Sequence, residues 1–419
     1  MNKDAFNMLD RNRLWESVQT LGEIGANEDG AMMRVTGSRA DEEARDTVVE
    51  WFEDAGLSMS IDPIGNIIAR REGERDLPPI VTGSHIDTVP SGGKFDGTAG
   101  VLGPLEIVRA WNDEGMETVR PIEIVVFTEE EGTRFGVGLL GSLVASGQYD
   151  IEDALSLSDQ TGQTVEETLV EMGYDGSASF DLEDAAAFIE MHVEQGPELD
   201  RSGIPVGIVD SIAGITHHSI TIHGETDHAG NTPMDIRRDA FMGGAEFALS
   251  VEREARRTDS QTVGTIGRVN VTPNGTNVIP GEVQLGVDIR DTDGRRLSEV
   301  VSTLEHELES ITKRRDLTYD WNTLLDVQPR SMDSQIRSEL IEAAEVCGYQ
   351  YKEMRSGAGH DAMNAATVTP TGMLFLPSED GVSHSPQEFT TRDDLFAGTQ
   401  VLSAALKRLA NTEKPIEIA

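Results

Sequence analysis

Residues 78–115, PPIVTGSHIDTVPSGGKFDGTAGVLGPLEIVRAWNDEG, decide the fold. The apolar run after the two prolines reads as a buried strand, and GTAGVLGPLEIVRAWNDEG reads as a helix that ends at Gly115. Between them lies a glycine-rich loop carrying His85, Asp87 and Asp96. The same alternation extends in both directions. Upstream, SRADEEARDTVVEWFEDAGLS (38–58) places apolar residues at helical spacing behind Ser38. Downstream, PIEIVVF (121–127) and AAFIEMHVEQ (186–195) are apolar strands. After residue 328 come a helix (334–348), the strand GMLFLPSED (372–380) and a terminal helix (392–410). Strands alternating with helices predict an α/β fold, a larger domain with helices on both faces of a mixed sheet.

The texture changes near residue 212. HHSITIHGETDHAG (217–230) alternates apolar and polar residues, and 241–257 is helical in pattern. GTIGRVNVTPNGTNVIPGEVQLGVDIRD (264–291) reads as a hairpin-like strand pair, and 297–315 as a second helix. The order β-α-β-β-α predicts a smaller α+β domain with helices on one face of its sheet. The expected boundaries are an inserted domain at 212–327 and an outer domain formed by 1–211 and 328–419.

Composition narrows the function. The 419 residues carry 34 Lys and Arg against 75 Asp and Glu, a formal charge of −41. Phosphate binding needs clustered cations, so a nucleic-acid role is excluded as an expectation, and an anionic membrane surface is disfavoured on the same ground. Only six of the basic residues are Lys. An acid-rich, Lys-poor chain resembles proteins of salt-loving organisms, where ions screen the self-repulsion; an ordinary acidic cytosolic enzyme is the plainer alternative. The single cysteine, Cys347, rules out an internal disulfide or a thiolate metal cluster. MNKDAFNMLD at the start lacks an apolar leader core, and no run approaches the ~18 apolar residues of a membrane span, so a cytoplasmic protein is expected.

The chemistry-bearing residues collect at predicted strand ends. His85 and Asp87 in GSHIDT are two apart, which puts both on one face, His85 suited to ligate a metal and Asp87 to fix its tautomer. Asp96 follows beside glycines. Strand 121–127 runs into Glu129-Glu130-Glu131, where Glu131 can ligate and Glu130 can act as general base. His192 and His384 also follow apolar runs. Three imidazoles and two carboxylates suit two divalent ions about 3.5–4 Å apart. On the residues alone the duller readings stay open: a His–Asp surface pair, a turn or N-cap Asp, a solvated acidic loop.

GSHIDTVPSGGKFDGTAGVLG, TEEEGTRF, HVEQGP, DHAGNTPMDIRRDA, NVIPG, SGAGHDA and GVSHSPQE, in order over about residues 30–405, resemble the amidase/hydantoinase–carbamoylase family. That family holds N-carbamoyl-L-amino acid hydrolases, β-ureidopropionases and allantoate amidohydrolases within the dinuclear metallo-aminoacylase/carboxypeptidase superfamily. HVEQGP separates it from the superfamily's peptidases, which carry Glu or Asp at the position of His192. The resemblance implies two divalent ions per subunit, zinc or manganese with cobalt or nickel possible. Asp96 would bridge them, one completed by His85 and His192, the other by Glu131 and His384. It further implies Glu130 as base, Asp87 behind His85, and His228 polarising the scissile carbonyl across a homodimer. Gln195, Asn277, Arg290 and the Gly357 loop would contact a small carboxylate substrate bearing a ureido group. The inserted domain would serve as a ferredoxin-like dimerisation and lid domain, hinged near 211 and 328. The implied reaction is cleavage of the ureido C–N bond of N-carbamoyl-amino acids to amino acid, carbon dioxide and ammonia. Rivals are an allantoate amidohydrolase, an N-acyl-amino acid deacylase and a catalytically inactive binding homologue; five intact ligands plus Glu130 speak against the last.

Arg290 follows a strand and can clamp a carboxylate, although pairing with Asp288 or Asp291 is the bland alternative. His217, His218, His223 and His306 are expected to be satisfied locally, and His360 and Asp361 to be structural. Relatives often carry Arg or Gln near 217–218, where this chain has His-His. Gly136–Gly141 matches the glycine spacing of a dinucleotide loop, but it does not follow its strand directly and acidic residues intervene, so that reading is rejected.

Overall fold

The computed structural model describes residues 8–414 and 416; residues 1–7, in which most of the leader reading falls, lie outside them. Chain contacts define two units, Met1–Asp210 with Ser331–Ala419, and Ser211–Arg330. The strands, in chain order, are β1 Ser58–Ile61, β2 Ile67–Arg71, β3 Ile80–His85, β4 Ile122–Phe127, β5 Ala187–Val193 and β6 Val206–Ile212, then β7 Gly214–His223, β8 Val263–Thr272, β9 Glu282–Asp291 and β10 Thr318–Val327, and finally β11 Arg330–Ser331, β12 Tyr351–Ser356 and β13 Thr371–Leu376.

The larger unit is built on a mixed sheet in the order β1-β2-β4-β3-β5-β13-β6-β11, with β12 beside β6. Its centre, β4-β3-β5-β13, is parallel throughout, so four carboxyl ends lie along one rim. β4, β5 and β13 are rich in apolar residues, and β3, β5 and β13 are buried at every residue. Alternation along β5 shows that both faces are covered. Ala187, Ile189, Met191 and Val193 enter the main core, while Phe188, Glu190 and His192 are buried on the opposite side. Helix Thr98–Asp113, which follows β3, is buried along most of its length.

The smaller unit is an antiparallel sheet in the order β10-β7-β9-β8. Helices Ala240–Thr258 and Gly294–Arg314 supply the other half of its core, where Phe247, Leu304 and Leu308 meet Ile220, Val283 and Leu285. The sequence pattern yields β-α-β-β-α; the structure adds β10, paired with β7, and completes the split β-α-β of a ferredoxin-like unit. Its limits, Ser211 and Arg330, lie one and three residues outside the 212–327 read from texture. Among the described residues no helix is long and apolar enough to cross a membrane.

Candidate metal centre

The rim of the parallel strands carries the chemistry, where open α/β sheets place their sites. His85 is the last residue of β3, Thr128–Glu131 follow β4, His192 is next to last in β5, and the His384 loop follows β13. Asp96 sits just before the helix that follows β3. Gly97 between them has φ 62°, and a Cβ there would lie 2.5 Å from the His85 ring. Only glycine lets the chain turn so closely under that imidazole.

Asp96 faces two ways. Its Oδ1 lies 3.0 Å from His192 Nε2 and 3.6 Å from His85 Nε2. Its Oδ2 lies 3.3 Å from His384 Nε2 and accepts from Gln195 Nε2 at 2.9 Å. Glu131 Oε2 is 3.6 Å from His384 Nε2. Two ligand groups result, His85–Asp96–His192, fully buried, and Asp96–Glu131–His384, opening to solvent through His384, 49% exposed. A third group, Glu190–His192–His360, is buried behind the first.

Hydrogen bonds set the tautomers. His85 Nδ1 is 3.0 Å from the carbonyl of Asp87, and His192 Nδ1 is 2.9 Å from that of Val193. A carbonyl only accepts, so each Nδ1 carries a proton and each Nε2 lone pair points into the cluster. His85 Nε2 is buried without a hydrogen-bond partner, yet Glu130 Oε2 stands 3.4 Å away. Inward lone pairs and carboxylates around an orphaned ring nitrogen fit a cation. Burial raises Glu130, with Glu131 adding repulsion against His85, and it pushes Glu131 up to about 7, with Asp96 adding to the effect.

The role expected of Asp87 needs correction. Its carboxylate is 3.7 Å from His85 Nδ1, and its backbone carbonyl makes the close contact. The carboxylate oxygens instead accept the N–H groups of Glu130 at 3.3 Å and Glu131 at 3.2 Å. Asp87 therefore holds the turn that presents both glutamates. Glu129 ahead of them adopts φ 54° and accepts from the N–H groups of Arg134 and Phe135. The glycines of 136–141 have a local cause: Leu139, Leu140 and Gly141 donate back to the carbonyls of Glu130, Glu129 and Thr128.

In the smaller unit, His228 Nδ1 accepts from the N–H groups of Gly230 and Asn231, which leaves a neutral ring with its proton on Nε2. Ala229 donates to the carbonyl of Asn277, which ties the His228 and Asn277 loops together. Arg290 donates from two nitrogens to Asp288, at 3.0 and 2.9 Å, the bland alternative of the sequence reading. His217, His218, His223 and His306 each have a local partner, Asp288, Thr323, Asp320 and the Ser302 carbonyl respectively. Gly357 lies in the loop after β12. The buried ring of His360 lies 4.5 Å from that of His192, and Asp361 is buried beside it. Ser383, Glu190 and Glu388 have no residue pattern in the sequence that marks them; they lie within GVSHSPQE (381–388) and AAFIEMHVEQ (186–195).

A carboxylate flanked by imidazoles on both sides at the ends of parallel strands suits divalent cations of the kind that metal-dependent hydrolases use. The chain belongs to peptidase family M20/M25/M40, whose defining pattern matches residues 81–408. It is 38% identical over 414 residues to the N-carbamoyl-L-amino acid amidohydrolase of Geobacillus stearothermophilus, covering 97% of this chain and 100% of that one. It is 32% identical to the allantoate amidohydrolase of Escherichia coli K12, over 96% and 98% of the two chains. The crystal structure of an amidase of the hydantoinase/carbamoylase family from Burkholderia multivorans superposes with a TM-score of 0.93 at 38% identity, covering 96% and 98%.

Proposed function

We propose that this chain hydrolyses the ureido C–N bond of N-carbamoyl-L-amino acids, releasing the amino acid, carbon dioxide and ammonia. The observation that carries the reading is Asp96, with one oxygen toward His85 and His192 and the other toward His384. Divalent cations held by His85, Asp96 and His192, and by Asp96, Glu131 and His384, would acidify a water and draw charge from the ureido carbonyl. Glu130 takes the proton of the attacking water and returns it to the amino-acid nitrogen as the C–N bond breaks. Its backbone N–H bond to Asp87 aims it, and burial keeps bulk water from competing. The Nε2 proton of His228, reaching across the dimer into the partner's site, suits donation to the developing oxyanion. Arg290, Asn277, Gln195 and the Gly357 loop receive the substrate carboxylate and its polar groups; Arg290 exchanges Asp288 for that carboxylate. The protein acts as a cytoplasmic homodimer joined through the smaller unit, and its acidity is an adaptation to salt.

The test is ammonia release from N-carbamoyl-L-methionine, N-carbamoyl-β-alanine and allantoate at high salt, with and without chelator. Chelator-sensitive turnover of the methionine derivative is expected. Preference for allantoate moves the assignment to that rival, and no turnover of any by cation-loaded protein leaves the inactive-homologue reading.

A further inference from the structure

We infer that Glu388 is a positioning residue that clamps the two halves of the cation centre together; the inference rests on the cation-binding reading of Asp96 and His384. Glu388 touches neither ligand side chain, yet its carboxylate, 3% exposed, joins the segments that bear them. Oε1 accepts the backbone N–H groups of Phe95 at 2.9 Å and Asp96 at 3.0 Å. Oε2 accepts the Ser383 hydroxyl at 2.7 Å, and that hydroxyl also lies 3.2 Å from Asp96 Oδ2. The Ser383 proton can serve one carboxylate at a time, so both stay within reach of a single O–H.

Packing repeats the same connection. Phe95 and Phe389 stack edge to face, with centroids 5.7 Å apart, and Trp15 lies against both at 5.9 and 6.2 Å. Above the carboxylate the chain passes so closely that a Cβ on Gly93 would lie 2.3 Å from the Glu388 carboxyl carbon. This is a built cradle rather than a solvated acid.

The clamp matters unequally to the two ligand groups. His85 and His192 end buried strands, which fix them independently of Glu388. His384 is half exposed on a loop, with its own backbone in the left-handed region at φ 50°. Its distance from Asp96 depends on what ties residues 383–388 to residues 95–96. Without Glu388 the Asp96–Glu131–His384 side loosens, while His85–Asp96–His192 persists.

Metal-stripped full-length protein titrated with Co2+, followed by calorimetry and visible absorption, tests this without turnover. Wild type takes up two equivalents. E388A retains the first at near wild-type affinity and binds the second about 10–100-fold more weakly, the usual effect of losing a group behind a ligand, with an altered d–d spectrum for that step alone. E388Q, whose amide oxygen still accepts both N–H groups, recovers the second step to within tenfold. S383A, at a part-buried loop position, weakens the second step as well, and it decides the matter if E388A does not fold. Wild-type affinity for both ions in folded E388A, equal weakening of both steps, or unchanged binding by S383A overturns the clamp. Fewer than two equivalents in wild type overturns the dinuclear reading instead.

Discussion

At the residue scale the centre depends on a few groups with one role each. Glu130→Gln keeps the ligand set but cannot accept a proton; turnover should fall about 10²–10⁴-fold with cation content unchanged, as read by steady-state kinetics and elemental analysis. Near-normal kcat would remove Glu130 as base. Gly97→Ala puts a methyl against the His85 ring at a left-handed position. We expect more than about 1 kcal/mol of lost stability in urea unfolding, together with weaker cation binding. The roles of Asp96 and His384 were carried by resemblance, because spacing cannot tell a ligand from a turn residue. The contact made by Asp87 was unreadable for a different reason: whether a carbonyl or a carboxylate meets His85 is decided by backbone torsion, which residue identity does not encode. Glu388 acts across 292 positions of chain and leaves no local pattern at all.

At the scale of elements, helix Arg39–Asp54 shows how the acidic loop is supported from below. Arg45 and Asp41, both fully buried, pair one turn apart. Arg45 also donates to the Gly65 carbonyl and to Thr128, just ahead of the three glutamates. Asp41→Leu alone should cost about 3–5 kcal/mol in denaturant unfolding by stranding a buried guanidinium, and Asp41→Leu with Arg45→Met should recover most of that loss. A single variant as stable as wild type would remove the buried pair from the account. Many of the legible elements have a long buried face: β3, β5 and β13 are buried at every residue and β4 at all but one, and the inserted helices carry apolar residues at 3.6-residue spacing. β10 escaped notice because its residues are largely exposed, so its pairing with β7, not hydrophobicity, makes it a strand. β1, four residues with none buried, escaped for the same reason.

For the molecule as a whole, a charge of −41 means self-repulsion that salt screens. Raising salt from about 0.1 M to about 1 M shortens the screening length from about 10 Å to about 3 Å, which weakens repulsion among surface acids more than it weakens buried pairs. The thermal midpoint should rise across that range in scanning calorimetry; a fall would mean that surface ion pairs outweigh the repulsion and that the acidity is no adaptation to salt. The two-unit architecture was visible as a change of texture because a one-sided antiparallel sheet alternates where a doubly covered parallel sheet does not. The chain leaves the outer sheet along β6 and re-enters it along β11, and these two strands are neighbours, with Met332 donating to the Asp210 carbonyl at 2.9 Å. The outer sheet is thus continuous across the port through which residues 211–330 depart. A foreign module with similarly adjacent ends can be spliced into that port without cutting a strand of the outer sheet, provided it brings replacements for His228, Asn277 and Arg290.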